Sequence, residues 1–230
     1  MKQYNILDYG AIADGVTNNA AAIQQAIDEA SAEGGRVVIP QGKYLSGTLV
    51  LKSNIDFHLE KGAVLISSLN QEDIMDFAKL FEDDNACTGW DGGCFLFACH
   101  EENITISGEG VIYGQGDKVF IDDDVDGGAH ECPLSVTAFR PRTTFLEDVT
   151  NLTVRDITIQ DAAFWTLHMA GCHHVRVQDI KILNDVRGAN YRALLITDLS
   201  MKTEKTDSLF RKKFQMCNGI NSSETLLPFR

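Results

Sequence analysis

Short runs in which apolar and polar residues alternate recur along most of the chain. The clearest run is written twice, at residues 151–159 and 174–182, and Asn151 and His174 hold the same place in it, 23 residues apart. Alternation over such short lengths predicts β-strands with one face in a core and the other toward solvent. A repeat in the low twenties that is made of such strands is typical of a protein whose coils stack on one another.

The same sequence pattern occurs twice earlier in the chain, and the spacing between its copies predicts the architecture. Asn103 opens one copy 48 residues before Asn151, and Asn54 opens another 49 residues before Asn103. These gaps are near twice the basic repeat, so they fit two turns of the same winding, with or without an inserted loop. We therefore predict an all-β fold, a right-handed parallel β-helix whose coils contribute short strands to sheets along the axis.

Ahead of the first coil the pattern becomes helical. A short strand is predicted at residues 5–9, and a helix with one apolar stripe follows it and ends at residues 34–35. The stripe consists of Ala22, Ile23, Ala26, Ile27 and Ala30. A helix here has a physical reason, because the open end of a β-helix exposes apolar core and unpaired strand edges. We expect this helix to cap the solenoid.

Two stretches interrupt the winding, at residues 69–102 and 117–139. Trp90 lies in a glycine-rich turn of the first, where it either stacks on a sugar or packs its own loop against the coil. The second contains Asp122, Asp123, Asp124 and Asp126, which invites a calcium site. Because the spacing matches no known calcium loop, a solvated acidic loop is the better interpretation and no metal is predicted.

Composition and charge exclude several classes of partner. A formal net charge of −13 argues against nucleic acid and against an anionic membrane surface. The six cysteines have irregular spacing, and we interpret them as small buried hydrophobic residues in a reducing compartment. Cys172, His173 and His174 lack a second pair of ligands at zinc spacing. No leader and no membrane-length apolar run are found, so a cytoplasmic location is expected, with a secreted mature form left open.

Specific motifs carry a resemblance to a known family. The order of residues 8–15, 22–24 and 34–44 resembles the first segment of the pectate-lyase-like β-helix superfamily. The glycine-rich turn at 106–116, the sequence Arg-Pro-Arg at 140–142 and Phe-Trp-Thr-Leu-His at 164–168 resemble family 28 glycoside hydrolases, the polygalacturonase family. The match runs from residue 4 to about residue 190 and covers the N-terminal portion of that family's domain.

The resemblance implies inverting hydrolysis of α-galacturonide bonds in pectin, with two carboxyl groups and no cofactor. It implies substrate contacts at Arg140, Arg142, Trp165, His168 and Asn190. His168 alternatively only fills a strand position, and the arginines alternatively lie exposed at a coil turn. The partner expected is an oligo- or polygalacturonide, while the oligomeric state stays open.

The expected catalytic motif does not appear in the sequence. The family's aspartate should follow Asn190, where Tyr191 and Arg192 stand instead, so no catalytic residue is assigned. Residues 191–230 carry seven Lys and Arg against four Asp and Glu, a net of +3. We therefore divide the chain into a β-helix at 1–190 and an atypical tail at 191–230, with further coils missing. A frameshift or early stop is the favoured account; a non-catalytic relative and coils from a second chain are the others.

Three functions follow from these observations. The preferred one is a pectin-degrading, polygalacturonase-like hydrolase in its complete form, with this chain truncated and inactive. A calcium-dependent pectate lyase would give an unsaturated product that absorbs ultraviolet light. A non-catalytic carbohydrate-binding β-helix protein would bind saccharide without turnover.

Overall fold

The chain winds into coils of short strands, and the computed structural model describes them over residues 1–75, 93–122, 134–136 and 139–184. In chain order the strands are β1 (Lys2–Asn5), β2 (Asp14–Asn18), β3 (Gly35–Ile39), β4 (Gly42–Ser46), β5 (Leu49–Val50), β6 (Ile55–Leu59), β7 (Ala63–Ser67), β8 (Cys94–Cys99), β9 (Ile104–Gly108), β10 (Val111–Tyr113), β11 (Phe120–Asp122), β12 (Leu134–Val136), β13 (Arg142–Glu147), β14 (Thr153–Arg155), β15 (Thr158–Gln160), β16 (His168–Ala170), β17 (Arg176–Gln178) and β18 (Lys181–Leu183). The α-helices are α1 (Ala20–Glu33) and α2 (Gly116–Val119), and 3₁₀ helices span Ile6–Tyr9 and Gln71–Asp73.

Three parallel sheets run along the axis of the molecule. Sheet A has the order β1-β3-β6-β9-β14-β17, sheet B has the order β2-β4-β7-β10-β15-β18, and sheet C has the order β5-β8-β13-β16. Each coil contributes one strand to each sheet in turn, so strands that are distant in sequence pair side by side. Strands β11 and β12 form a separate antiparallel pair. The predicted parallel β-helix is confirmed.

The core consists of columns of apolar side chains that continue from coil to coil. In sheet A one column contains Val37, Phe57, Ile106, Val154 and Val177 in register. In sheet B another contains Tyr44, Leu65, Ile112, Ile159 and Ile182. All of these are buried except Val177 and Ile182 on the last coil, which are partly buried. Each fully buried side chain of this size contributes about 1.5–3 kcal/mol to stability.

The repeated asparagine marks the corner between sheets C and A. Asn54, Asn103, Asn151 and His174 all have left-handed backbone conformations, with φ between 54° and 64°. Asparagine tolerates this conformation better than most residues. The Asn103 side chain donates to Asn54 Oδ1 at 2.9 Å, and Asn151 donates to Asn103 Oδ1 at 3.0 Å. The repeat therefore reflects a backbone requirement and a ladder of amide hydrogen bonds.

The long gaps between the repeats are single turns that carry excursions. Between Asn54 and Asn103 the chain passes once through sheets A, B and C, and it does so once again between Asn103 and Asn151. The prediction that each gap contains two turns of the winding is therefore wrong. The first interruption is also shorter than predicted, because β8 returns to sheet C at Cys94. The buried apolar residues of β8 lack the alternation of apolar and polar positions that identified the other strands.

Capping by an N-terminal helix is confirmed. Helix α1 buries Ile23, Ala26, Ile27 and Ala30, and Ala22 packs partly buried against the same core. The strand predicted at residues 5–9 is wrong, because β1 ends at Asn5 and a 3₁₀ helix follows. The Asn5 side chain accepts a hydrogen bond from the Leu7 amide at 3.0 Å and so stabilises the start of that helix.

Candidate functional site

The site begins on the outer face of sheet C, where two neighbouring coils place their strands in register. Strand β13 pairs with β16 so that Phe145 lies opposite His168. Arg142 is the first residue of β13, and Trp165 lies in the turn that leads into β16. Residues separated by one coil in sequence are therefore brought into contact.

Two arginines lie against the aromatic rings of this turn. The Arg140 guanidinium carbon is 4.3 Å from the centroid of the Phe164 ring. The corresponding atom of Arg142 is 4.9 Å from the Trp165 centroid and 5.4 Å from that of Phe164. Such distances allow cation–π attraction, which is stronger where the cation is shielded from water. Arg142 is only 2% exposed, so its charge lies inside the fold.

His168 lies between two aromatic rings of the same site. Its ring stacks on Phe145 with 4.5 Å between centroids and meets the Trp165 ring edge-on at 4.2 Å. Burial, and then the nearby charge of Arg142, lower the pKa of His168 to about 4. The imidazole is therefore neutral at neutral pH. Its buried Nδ1 has no hydrogen-bond partner among the residues that the structure describes.

We call Arg140, Arg142, Phe145, Phe164, Trp165 and His168 the arginine–aromatic cluster. Backbone and threonine hydrogen bonds fix its two strands. The Thr143 amide donates to the Trp165 carbonyl at 2.8 Å, and the His168 amide donates to Thr144 Oγ1 at 3.1 Å. No member of the cluster is a carboxylic acid, so the cluster can bind a ligand but has no acid–base pair to cleave one. Its cations suit an anionic group, and its flat rings suit the face of a sugar.

The structure brings together four of the five residues predicted as substrate contacts. Arg140, Arg142, Trp165 and His168 all belong to the cluster, and Asn190 lies outside the described residues. That they bind substrate stays a prediction. Both interpretations of His168 agree with its geometry, since it fills a strand position and also adjoins the arginines. Sequence reasoning missed Phe145 and Phe164, although Phe145 was available from its register with His168 one repeat later.

Several other predicted features cannot be placed. Trp90, the side chains of the acidic loop at 122–126 and the whole of residues 185–230 lie outside the described parts of the chain. Among the residues that the structure does describe, no group of three or more His, Cys, Asp or Glu side chains could hold a metal ion. In those same ranges no helix is long and apolar enough to cross a membrane.

A second candidate region lies on the outer face of sheet A. An open pocket of about 680 Å³ is lined by His58, Glu60, Lys61, Gly108, Glu109, Arg155 and Asp156. Beneath it Arg36 pairs with the buried Asp56 at 2.7 Å, and Ser107 donates to Asp56 at 2.5 Å. Ser107 also contacts His58 Nδ1 at 2.8 Å. The pocket mixes carboxylates and cations, and none of the described residues that line it is Phe, Tyr or Trp. The arginine–aromatic cluster is therefore the better candidate site.

Comparison with known proteins finds relatives of this chain among polygalacturonases and rhamnogalacturonases. Residues 3–71 match the family described as "Rhamnogalacturonase A/epimerase, pectate lyase-like". A probable polygalacturonase of Vitis vinifera is 28% identical over 196 residues, which are 81% of this chain and 38% of that protein. An exo-poly-alpha-D-galacturonosidase of Dickeya chrysanthemi is 37% identical over 131 residues, 51% of this chain and 20% of the other.

A relative of a different kind and a solved structure complete the comparison. The plasmin and fibronectin-binding protein A of Streptococcus pneumoniae is 29% identical over 193 residues, 78% of this chain and 24% of that protein. The family 28 exopolygalacturonase of Yersinia enterocolitica superposes with a TM-score of 0.61 at 26% identity, over 80% of this chain and 39% of the other. The chain thus spans well under half the length of these relatives.

Proposed function

Because this chain belongs to the pectate-lyase-like β-helix superfamily and is a relative of the polygalacturonase family, we propose that it is part of a pectin-degrading glycoside hydrolase. The bond that the complete protein cleaves is an α-galacturonide bond, and the stereochemical outcome is inversion. The observation that carries the proposal is the arginine–aromatic cluster on sheet C, which combines one buried and one partly buried arginine with partly buried aromatic rings. Such a surface suits a sugar acid better than a neutral sugar.

The cluster divides recognition between charge and stacking. Arg140 is the more accessible of its two arginines, and its guanidinium can donate to a uronate carboxylate in a charge-assisted hydrogen bond. Trp165 offers a ring against which a sugar face packs. His168 is neutral and buried, and its contact with the Trp165 ring supports the surface against which the sugar packs. These contacts bind and orient a galacturonide without cleaving it.

We further propose that these 230 residues alone do not hydrolyse the substrate. Inversion requires one carboxylic acid to protonate the leaving oxygen and one carboxylate to activate water, about 6.5–9.5 Å apart. The aspartate motif that the resemblance places after Asn190 is absent from the sequence, where Tyr191 follows. General acid–base groups typically contribute about 10²–10⁴-fold each to the rate.

A paired assay of binding and turnover tests the proposal. We expect trigalacturonate to bind the purified chain and polygalacturonate to release no reducing ends. Arg140→Met should weaken binding about tenfold or more, as for the loss of one charge-assisted hydrogen bond. Arg176→Met removes an arginine from the outer face of β17, away from the cluster, and is the matched control.

Ligand chemistry provides the second control. Fully methyl-esterified trigalacturonate has the same sugar rings without the charge, and should bind more weakly than the free acid. Equal affinity for the two ligands would contradict the role of the arginines. Release of reducing ends would show that catalytic carboxylates are present elsewhere, and a calcium-dependent rise in ultraviolet absorbance would indicate elimination by a lyase.

A non-catalytic adhesion protein is the second candidate function. Its support is the Streptococcus pneumoniae relative, whose name records binding to plasmin and fibronectin and whose similarity covers 78% of this chain. Immobilised fibronectin distinguishes the candidates. Retention of this chain that trigalacturonate does not compete away would favour the adhesion function over the pectin-directed one.

A further inference from the structure

Asn184 follows β18 on the last described coil, and its side chain reaches back to the preceding coil. Its Oδ1 accepts a hydrogen bond from the Ala162 amide at 2.9 Å, and its Nδ2 donates to Thr166 Oγ1 at 2.8 Å. Ala162 and Thr166 lie on either side of the two aromatic residues of the turn, Phe164 and Trp165. One amide group therefore holds both ends of the segment that carries these rings.

A chain of buried hydrogen bonds continues from this amide to His168. Thr166 is fully buried, and its carbonyl accepts a hydrogen bond from Thr144 Oγ1 at 3.2 Å. The same Thr144 oxygen accepts from the His168 amide at 3.1 Å. The Thr144 hydroxyl thus donates its hydrogen to the turn and accepts a hydrogen bond from the first residue of β16. The positions of Trp165 and His168 are connected through groups that water does not reach.

We propose that Asn184 is the positioning residue of the arginine–aromatic cluster. The position needs a short side chain with an acceptor on one side and a donor on the other, and the asparagine amide supplies both. Buried polar groups that lose their partners destabilise the conformation that buried them. Without Asn184, Ala162 and Thr166 lose a shared partner, and the turn between them becomes free to move.

The inference rests on the proposed function only for the identity of the ligand. It adds that the cluster is completed by the coil that follows it, since Asn184 lies 22 residues after Ala162 and 18 after Thr166. The turn of one coil therefore takes its final geometry when the next coil winds onto it. Ligand affinity and the packing of the last coil are linked through a single side chain.

Tryptophan fluorescence can report on this turn directly. The chain has two tryptophans, so Trp90→Phe leaves Trp165 as the only one. In that background, Asn184→Ala should make Trp165 more accessible to acrylamide quenching and weaken trigalacturonate binding about tenfold, as for two net hydrogen bonds. Asn184→Asp keeps the acceptor for Ala162 and can accept from the Thr166 hydroxyl, so it should retain most of the affinity.

Two further variants separate positioning from general loss of stability. Thr166→Val removes the hydroxyl that Asn184 contacts, and the double variant with Asn184→Ala should bind little worse than Asn184→Ala alone. Asn103→Gly removes an asparagine that also makes two side-chain hydrogen bonds between coils, at the corner of sheets C and A. Glycine suits its positive φ. This control should lose stability while Trp165 quenching and affinity stay at the parent values.

The possible outcomes separate the two proposals. If Asn184→Ala leaves both quenching and affinity unchanged, or if Asn103→Gly changes them equally, the positioning role is overturned. If the parent protein binds no galacturonide, the proposed function fails. The quenching of Trp165 in Asn184→Ala and its recovery in Asn184→Asp then still decide the positioning role.

Discussion

Replacing His168 with phenylalanine is expected to make the protein less sensitive to acid. The imidazole lies 4.5 Å from the Phe145 ring and 4.2 Å from the Trp165 ring, centroid to centroid. Burial, followed by the charge of Arg142, lowers its pKa from 6.5 to about 4. A phenyl ring keeps both ring contacts, takes up no proton, and has no buried nitrogen to leave without a hydrogen bond.

The lowered pKa fixes the direction of the effect. On lowering the pH, the unfolded chain takes up this proton near pH 6.5 and the folded chain only near pH 4, so acid favours unfolding. The stability linked to neutral His168 is fully present above pH 6.5 and is lost as the pH falls towards 4. Between pH 7 and pH 4.5 the loss amounts to about 2 kcal/mol. The phenylalanine variant should lack this part of the pH dependence.

Urea unfolding of both proteins at the two pH values provides the test. Other acidic groups contribute equally to both, and any difference in ring packing cancels when the two pH values are compared. His173→Gln, at an exposed position on the same coil, controls for removing a histidine as such. If parent and His168→Phe lose the same stability between pH 7 and pH 4.5, the linkage argument is wrong.

Two further predictions concern the scaffold. Gly108→Ala should prevent folding, because a Cβ at this position, where φ is +110°, would lie 1.9 Å from the Leu59 carbonyl oxygen. Gly10→Ala is the control: nothing lies within 4 Å of its Cβ, so it should cost only backbone strain and remain soluble. Equal solubility of the two variants would refute the steric argument. Ser107→Ala should lower the free energy of unfolding by about 1–3 kcal/mol, because it removes the hydroxyl that Asp56 and His58 contact. A loss below about 0.5 kcal/mol in urea unfolding at pH 7 would show that water replaces this hydroxyl.

The sequence allowed the stacking of coils to be predicted because the backbone constraint recurs at one corner. Asn54, Asn103 and Asn151 occupy left-handed positions, and that requirement is visible in the residue type. Strand β8 was missed because its residues 94–98 are all buried, since neighbouring residues cover both of its faces. Alternation is lost wherever a sheet is covered on both sides.

The cluster itself could be predicted only in part. The register of the coils brings Phe145 beside His168 and Arg142 beside Trp165, each pair 23 residues apart, and the repeat length is enough to anticipate both contacts. Which rings meet, and how deeply they are buried, depends on turns that have no periodic signal. Asn184 illustrates the limit of sequence-based prediction. A single asparagine after a strand gives no indication that its amide bridges Ala162 and Thr166 one coil earlier.

The corner between sheet B and sheet C accommodates connections of different length. The connections from β7 to β8, from β10 to β13 and from β15 to β16 differ widely in length, yet the strands on either side stay in register. Closing a flexible loop costs only about 0.6 kcal/mol more for each doubling of its length. Of these connections, the one from β7 to β8 carries no member of the arginine–aromatic cluster, so it is the one suited to grafting: a segment exchanged there would leave the stacked columns in register.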